Sequence, residues 1–307
     1  MSDMHVDAID PVIFKRQLEY VKSQTYDEKL ADLPLFQGDL PISSEVPEGA
    51  TEMTWRSFKG IGAAKFISDY DQGFPRADIG GAELTRKVYD IGMGYGYSLK
   101  EIARAAKANI QLDTKRSAAA KRAVEEKLNA VALTGDTDRN IPGFISYPGV
   151  QEYTVPTTGT GTTKTWSTKT ADQILVDLYG ILNTIVEGTN GIERPNTIKM
   201  PLASYNYIKQ TPRSTLSDKT ILQFFLENNP GVSVGWWNEL KTAGAGSTKR
   251  MIAYVNDADH LSVEIPVTLK QHPEYQDGPL SYFIPMTAET VGTIVYYPLS
   301  VAFADGI

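Results

Sequence analysis

Apolar and polar positions between residues 51 and 97 follow the pattern of two long strands joined by a turn. The first arm is strand-like over 51–70, turn residues fill "DQGFPRADIGG" at 71–81, and the return arm covers 82–98. Each arm would be about 50–65 Å long if extended at about 3.3 Å per residue, whereas a typical strand has about 5–6 residues. Arms of this length cannot fold back into one compact core. The pattern therefore predicts a hairpin that projects and packs against a neighbouring subunit.

A second pattern predicts a long helix over residues 113–134. Its apolar positions recur at helical spacing, and they are Ala120, Val124, Leu128, Val131 and Ala132. Asp113 is placed to cap the first turn, and Gly135 is placed to end the last one. At about 1.5 Å per residue the helix spans about 33 Å. Its narrow apolar stripe predicts a strut that packs on one side. Ser98 and Glu101 form a capping box for a shorter helix before it.

The remaining chain gives two further patterns. Residues 170–270 alternate between helix-like and strand-like segments, which is typical of an α/β or α+β unit, and Thr170 with Gln173 forms a capping box before its first helix. Residues 1–50 have one weak helical pattern followed by repeated Pro and Gly. We expect an extended arm there that needs another surface to lie on.

Composition limits the classes of protein that these elements can form. The 307 residues are 41% hydrophobic and 10% aromatic, which is enough for a folded core. The absence of cysteine excludes disulfides, thiol catalysis and thiolate metal sites. No apolar run approaches the roughly 20 residues of a membrane span, and residues 1–10 have no signal-peptide pattern. We therefore expect a protein that is made and used in the cytosol, with no membrane partner.

Charge is distributed unevenly along the chain. The net charge of −7 argues against nucleic acid as a general partner. Residues 1–50 have 4 Lys/Arg and 10 Asp/Glu, residues 51–122 have 13 and 8, and residues 123–307 have 13 and 19. These segments form either separate solvated surfaces or an acidic head of one chain that lies near the basic segment of another.

Residues with chemical potential do not form a catalytic set. Two stretches resemble phosphate-binding loops, but Thr163 and Thr248 occupy positions where such a loop requires glycine. The best acid–base or metal candidates are Asp257, Asp259 and His260, for which a turn that satisfies backbone amides is the simpler interpretation. The sequence therefore favours a protein that is not an enzyme and that has no cofactor and no metal.

Three stretches resemble the major capsid proteins of tailed bacteriophages, whose Hong Kong 97-like coat-protein fold is shared with encapsulin shells. They are "AAAKRAVEEKLNAVALTGD" at 118–136, "NIPGFISYPGV" at 140–150 and "GTIVYYPLSVAFADGI" at 292–307. The family typically has a spine helix that ends in Gly–Asp, then a Gly-hydrophobic-x-x-x-Pro-x-Val turn, and a closing Tyr-x-Pro strand. The matching residues here are Gly135, Asp136, Gly143, Phe144, Pro148, Val150, Tyr296 and Pro298.

The resemblance implies an α+β chain with a defined order of parts. These are an N-terminal arm (1–50), an extended β-hairpin loop (51–97), a peripheral domain (98–165 and 270–297) with spine helix 113–134, and an axial α/β domain (166–269 and 298–307).

The resemblance also implies a structural function. It indicates a virion subunit that self-assembles through pentamers and hexamers into an icosahedral shell around double-stranded phage DNA, without sequence-specific DNA binding, in the host cytoplasm. A separate scaffolding protein, a portal and decoration proteins are further implied partners. At the hairpin tip, Phe74, Pro75 and Arg76 are the expected inter-subunit contacts. Two alternatives stay open: an encapsulin-type nanocompartment shell, and a soluble hydrolase that uses the turn at 257–260.

Overall fold

The computed structural model describes residues 30–66, 75–107, 112–214 and 218–307. The chain divides into two compact units, residues 1–32 and 33–307. In the first unit only residues 30–32 are described, and they are exposed and have no regular secondary structure.

The second unit contains all the helices and strands of the described chain. The helices are α1 (Leu99–Lys107), α2 (Leu112–Leu133), α3 (Ala171–Gly188), α4 (Leu202–Gln210) and α5 (Ile221–Asn228). The strands are β1 (Ile42–Ser43), β2 (Glu52–Ile61), β3 (Asp78–Lys87), β4 (Tyr89–Ser98), β5 (Gly135–Asp136), β6 (Ile141–Pro142), β7 (Gln151–Tyr153), β8 (Thr197–Met200), β9 (Ser233–Trp236), β10 (Arg250–Tyr254), β11 (Leu261–Glu264), β12 (Val267–Gln271), β13 (Tyr275–Gly278), β14 (Ser281–Thr290), β15 (Gly292–Val295) and β16 (Val301–Asp305). None of these helices has the length and apolar character needed to span a membrane.

The predicted hairpin is formed by β2 and β3. The two strands pair antiparallel along their whole length, starting from Glu52 opposite Lys87 at the base. The Val88 amide donates a hydrogen bond of 2.9 Å to the Thr51 carbonyl oxygen and so closes the ladder. Most side chains on both strands are exposed. Residues 67–74, which link the two strands in sequence, lie outside the described residues.

The return arm does not continue to 97 as the sequence pattern predicted. After Val88 the chain leaves the hairpin, and β4 pairs antiparallel with β14 along its whole length. The prediction failed because the partner of β4 lies almost 200 residues away, where no local pattern reveals it. Two glycines of β4 lie against that partner: a Cβ atom built on Gly94 would be 2.3 Å from the Phe283 ring, and one built on Gly96 would be 3.0 Å from the Tyr282 carbonyl oxygen.

The predicted spine helix is α2, which lies one residue earlier at each end than the predicted range 113–134. Asp113 is therefore the second residue of the helix and not the residue before it, as predicted. The five predicted apolar positions are all buried, with exposed fractions of 3% or less. Gly135 has φ +83°, the left-handed conformation in which glycine ends helices. A Cβ atom there would lie 2.4 Å from the Gly143 nitrogen and the Ile141 carbonyl oxygen, so only glycine fits this corner.

A five-stranded sheet in the order β7-β16-β10-β8-β9 separates two hydrophobic cores. On β10, Met251 and Ala253 belong to the core beneath α3, α4 and α5, whereas Ile252 and Tyr254 belong to the core that contains α2. The alternation follows because successive strand side chains point to opposite faces. Strand β16 repeats it, so both central strands are buried on two sides and join the two cores.

Two smaller sheets and the short antiparallel pair β5–β6 complete the described fold. One has the order β1-β11-β15, and the other has β12-β14-β13 with β4 added to β14. The predicted domain bounds do not follow the strand pairing at two places: β7, predicted as peripheral, pairs with β16, and β11, predicted as axial, pairs with β15. The domain division itself stays a prediction.

Candidate assembly surface

Apolar side chains are exposed on both faces of the hairpin. Phe58 (73% exposed) and Ile79 (70%) occupy one face by their register, and Ile61 (57%) and Leu84 (49%) occupy the other. We call these four residues the hairpin surface. A two-stranded hairpin is marginally stable by itself, and exposed apolar patches mark sites of association. This surface therefore has the character of an interface that a partner covers.

The tip of the hairpin contains two of the three predicted contact residues. A cleft of about 740 Å³ lies between the strand ends and is lined by residues 60–65 and 75–79. Pro75 and Arg76 line it and are exposed. Phe74 lies outside the described residues. The role of all three as inter-subunit contacts stays a prediction.

Arg86 anchors the base of the hairpin. Its guanidinium lies 5.7 Å from the ring centre of Trp55 and 5.5 Å from that of Tyr147. It donates hydrogen bonds to the Thr293 carbonyl oxygen at 2.5 Å and to the Tyr147 hydroxyl at 2.9 Å. The Trp55 and Tyr296 rings are nearly perpendicular, at 87°, and their centres lie 6.3 Å apart. Cation–π and hydrogen-bond contacts thus hold the hairpin base against β15.

A buried ion pair lies away from this surface. Lys169 Nζ is 2.6 Å from Asp177 Oδ2, and the two side chains are 0% and 1% exposed. Trp166 Nε1 donates to the same oxygen at 2.9 Å. Burial raises the pKa of Asp177, and the hydrogen bonds from Lys169 and Trp166 oppose that rise in part. A shifted pKa can mark a catalytic group, but these side chains are closed off from any substrate, so we assign the pair a structural role.

The acid–base candidates at 257–260 form a local turn. His260 Nε2 lies 2.8 Å from Glu193 Oε2, and its Nδ1 lies 3.9 Å from Asp257 Oδ2. The other Asp257 oxygen accepts the Asp259 amide at 3.3 Å, as expected for a turn that satisfies backbone groups. Within the described ranges, no three His, Asp or Glu side chains are placed to hold a metal ion. Sequence reasoning missed Glu193, because it lies 67 residues before His260 and no local signal links them.

Comparison of the sequence with models of known protein families identifies the family of this chain. The family model described as major capsid protein matches residues 62–307, well over half of the chain. The chain belongs to the major capsid protein family. It is a subunit of a capsid shell, and its place is the virion. The resemblance found in the sequence is thereby confirmed. The family is one of structural proteins.

Solved structures agree with this assignment at the level of the fold. The capsid of Myoviridae phage XM1 has a TM-score of 0.83 at 19% identity, and the match covers 96% of this chain and 99% of that one. The capsid of native GTA particle computed with C5 symmetry has a TM-score of 0.66 at 11% identity, with 95% and 96% coverage. The virus-like particle from Pyrococcus furiosus has a TM-score of 0.53 at 11% identity, with 88% and 96% coverage. No curated protein matches the sequence.

These likenesses confirm the predicted fold class, a mixed α+β chain with the Hong Kong 97-like capsid fold. Within this major capsid protein, sequence reasoning found the hairpin and α2, which have local signals. It missed Arg86 as the anchor of the hairpin, because the groups that hold its guanidinium come from three separate parts of the chain.

Proposed function

We propose that this major capsid protein assembles through pentamers and hexamers into an icosahedral shell that encloses double-stranded phage DNA, and that assembly takes place in the host cytoplasm. The observation that carries the proposal is the hairpin surface, whose four apolar side chains are 49–73% exposed on two opposite faces. One subunit leaves both faces open. A ring of copies covers them when each hairpin lies on the next subunit, which is a head-to-tail contact that closes by rotation.

The ring geometry has support from a structural relative. The GTA capsid with the same fold is computed with C5 symmetry, which is the symmetry of a pentamer. Closed shells of identical subunits combine such rings with hexamers. The hairpin tip then contacts the neighbouring subunit through Phe74, Pro75 and Arg76.

The proposed parts keep the order that the sequence indicates. They are an N-terminal arm (1–50), the hairpin loop (51–97), a peripheral domain (98–165 and 270–297) and an axial domain (166–269 and 298–307). A separate scaffolding protein, a portal and decoration proteins are the proposed further partners.

The charge of the chain supports enclosure of DNA without tight binding. The net charge is −7, and tight binding of duplex DNA needs many cations that replace phosphate counterions. A shell of such subunits holds packaged DNA with few attachments, so the proposed DNA contact carries no sequence specificity.

Negative-stain electron microscopy of the full chain tests the proposal. The protein is expressed alone and together with a scaffold gene from the same phage, and we expect closed particles of uniform size or ring-shaped capsomers. Sedimentation velocity on the same samples measures the assembled fraction. Uniform monomers under all of these conditions would overturn the proposal.

A further inference from the structure

The short helix α1 presents a line of three cations to solvent. Lys100, Arg104 and Lys107 are spaced four and three residues apart, so they lie on one face of the helix, and all three are exposed. They span about 10 Å along the helix axis at about 1.5 Å per residue. We call these three residues the α1 stripe.

The charge of the α1 stripe is not compensated by the chain around it. In the described part of the chain no ion pair joins any of the three cations to a carboxylate, and the neighbouring Glu101 is instead bound by Arg116 at 3.2 Å. Residues 99–122 have 7 Lys/Arg and 2 Asp/Glu, whereas the whole chain has a net charge of −7. A local cationic surface of this kind attracts an anionic ligand.

Hydrogen bonds at the start of α1 hold the α1 stripe in place. The Leu99 amide donates to the Leu280 carbonyl oxygen at 3.1 Å, which attaches the first turn to the chain between β13 and β14. Arg116 of α2 donates to the Gly96 carbonyl oxygen at 2.7 Å and to Glu101 at 3.2 Å, which joins α1 to β4 and to α2. The α1 stripe is therefore presented from the edge of a sheet.

The stability of the helix accounts for only part of the α1 stripe. Arg104 and Lys107 lie in the last turn, where cations favour a helix because its C-terminus carries a partial negative charge. Lys100 lies in the first turn, where the partial charge of the helix is positive and a cation is unfavourable. The position of Lys100 is therefore not explained by the helix and points to a ligand outside it.

Duplex DNA fits the α1 stripe better than a protein partner does. Each DNA strand carries one phosphate charge per about 3.4 Å of helix axis, so about three phosphates fall within the length of the stripe. A protein interface depends on apolar or aromatic anchors, whereas the stripe consists of cations alone. Contacts between cations and phosphates position a duplex without reading its sequence.

We propose that the α1 stripe faces the interior of the shell and contacts the phosphate backbone of the enclosed duplex DNA. The inference rests on the proposed shell function and assigns the surface of the subunit that faces inward. Each copy contributes three cations to DNA contact, while the net negative charge of the chain repels DNA elsewhere. Packaged DNA is thereby held at regularly repeated points without tight binding over the whole inner surface.

Chemical footprinting tests whether DNA covers the α1 stripe. DNA-filled particles from infected cells, and the same particles after DNA release and nuclease treatment, are exposed to a small lysine-acetylating reagent, and the modified peptides are measured by mass spectrometry. We expect Lys100 and Lys107 to be protected in the filled particles and to lose that protection in the emptied ones. Lys241, an exposed lysine after β9, is the control and reacts equally in both. Equal reaction of Lys100 and Lys107 in both samples, or protection in both, overturns the proposal.

Charge removal tests the chemistry of the contact. Binding of a short labelled DNA duplex of mixed sequence to unassembled subunits is measured at several salt concentrations. Each phosphate contact contributes about 0.9 to the slope of log K against log salt, so removing three contacts should reduce the slope by about 2.7. The test variant is Lys100→Gln with Arg104→Gln and Lys107→Gln, which keeps residues that favour a helix. The control removes the same charge from three exposed lysines outside α1 and keeps the natural slope; it is Lys209→Gln with Lys219→Gln and Lys241→Gln. Equal slopes in the two variants, or no binding by the natural subunit at low salt, contradict the proposal.

The outcomes separate this inference from the proposed function. If the natural protein forms no particles, or only particles without DNA, the proposed function fails. If DNA-filled particles form and DNA does not protect Lys100 and Lys107, this inference alone fails. If the test variant is folded by circular dichroism but no longer assembles, the α1 stripe contacts protein and the inference is overturned.

Discussion

Asp39 and Lys199 are 160 residues apart in sequence, and the Asp39 Oδ1 atom lies 2.5 Å from the Lys199 Nζ atom. The other Asp39 oxygen accepts the Trp237 indole N–H at 2.7 Å. The Tyr254 hydroxyl donates to the Asp39 carbonyl oxygen at 2.6 Å. A single residue before β1 thus fastens that segment to β8 and β10 of the five-stranded sheet.

Asp39→Ala is therefore expected to destabilise the subunit by about 3 kcal/mol, because it leaves the Lys199 charge and the Trp237 N–H buried without partners. The Lys199 and Asp39 side chains are 8% and 20% exposed, so solvent screens the pair only weakly. Urea unfolding of the unassembled subunit measures the change. Asp138→Ala removes an exposed carboxylate and serves as the control, with an expected effect within about 0.5 kcal/mol. Equal stability of the two variants would contradict the role of Asp39.

Lys169→Met is expected to destabilise the fold by about 3–5 kcal/mol at pH 7, because Asp177 keeps a buried charge without its partner. The pKa of Asp177 is already raised by burial, and loss of the lysine raises it further. An acid with a raised folded pKa opposes folding above that pKa, and the penalty disappears as the pH falls toward the unfolded pKa of about 3.9.

The difference in stability between Lys169→Met and the natural protein should therefore shrink from pH 7 to pH 4.5. Denaturation at both pH values measures it. Lys169→Met combined with Asp177→Leu removes both charges and should recover most of the loss at pH 7. A difference that is independent of pH would show that the uncompensated carboxylate is not its cause.

Asp305→Asn is expected to cost about 2 kcal/mol at neutral pH. Arg250 Nε and Nη2 donate to the two Asp305 oxygens, both at 2.7 Å. Burial acts to raise the pKa of Asp305, but the hydrogen bonds from Arg250 and the Ala245 amide outweigh it and lower the pKa below its usual value. For a lowered folded pKa, the stabilisation is present above the unfolded pKa of about 3.9 and is lost as the pH falls through the folded value.

The cost of Asp305→Asn should accordingly shrink as the pH falls below the unfolded pKa of about 3.9 and through the lowered folded pKa. Thermal melts of both proteins between pH 2.5 and 7 follow the difference. If the difference in stability between the two proteins is constant across this pH range, its cause is altered packing against Phe303 and not loss of the carboxylate charge. The Arg250 guanidinium lies 4.5 Å from the centre of the Phe303 ring.

Gly135→Ala is expected to destabilise the subunit by at least about 3 kcal/mol. The position combines φ +83° with backbone atoms that would lie 2.4 Å from the added methyl carbon, so both strain and overlap oppose the change. Gly161→Ala is the matched control: Gly161 has φ +76° but no atom within 4 Å of an added Cβ, so about 1 kcal/mol is expected. Similar losses for the two variants would show that overlap at the α2 corner contributes nothing.

Phe58→Ser with Ile79→Ser is expected to leave the subunit folded and to prevent assembly. Both side chains are at least 70% exposed, so the monomer loses little buried area, whereas an interface loses two apolar anchors. Sedimentation velocity and electron microscopy measure assembly, and circular dichroism measures folding. Ile192→Ser, which changes a side chain that is 79% exposed after α3, is the control for exposed apolar residues. Normal shells from the double variant would remove the hairpin surface from the proposed interface.

Several features could be predicted because their physical cause is local in sequence. Both hydrogen bonds of the predicted capping box form. The Gln173 amide donates to the Thr170 hydroxyl at 3.4 Å, and the Thr170 amide donates to the Gln173 side-chain oxygen at 2.9 Å, since the two residues are three positions apart. The same spacing at Thr220 and Gln223 opens α5, and the same reasoning would have found it. At Ser98 only half of the box forms: the Ser98 amide donates to Glu101 at 3.2 Å.

The candidate assembly surface was predictable only in part, because some of its contacts join segments that are far apart in sequence. The length of the hairpin arms indicated a projecting element, and the capsid resemblance came from short stretches around α2 and the last strands. Arg86 gave no signal, because Trp55, Tyr147 and Thr293 reach it from separate segments.

By itself, the sequence determined the spine helix to within one residue at each end, the paired part of the hairpin and the family of this protein, since helical spacing and turn residues act over a few neighbouring positions. Only the tertiary structure decided that β4 leaves the hairpin for β14, that β10 and β16 are buried on both faces, and that Asp39 meets Lys199. Those relationships join segments far apart in the chain. Their stability comes from burial and pairing between surfaces that exist only once the chain has folded.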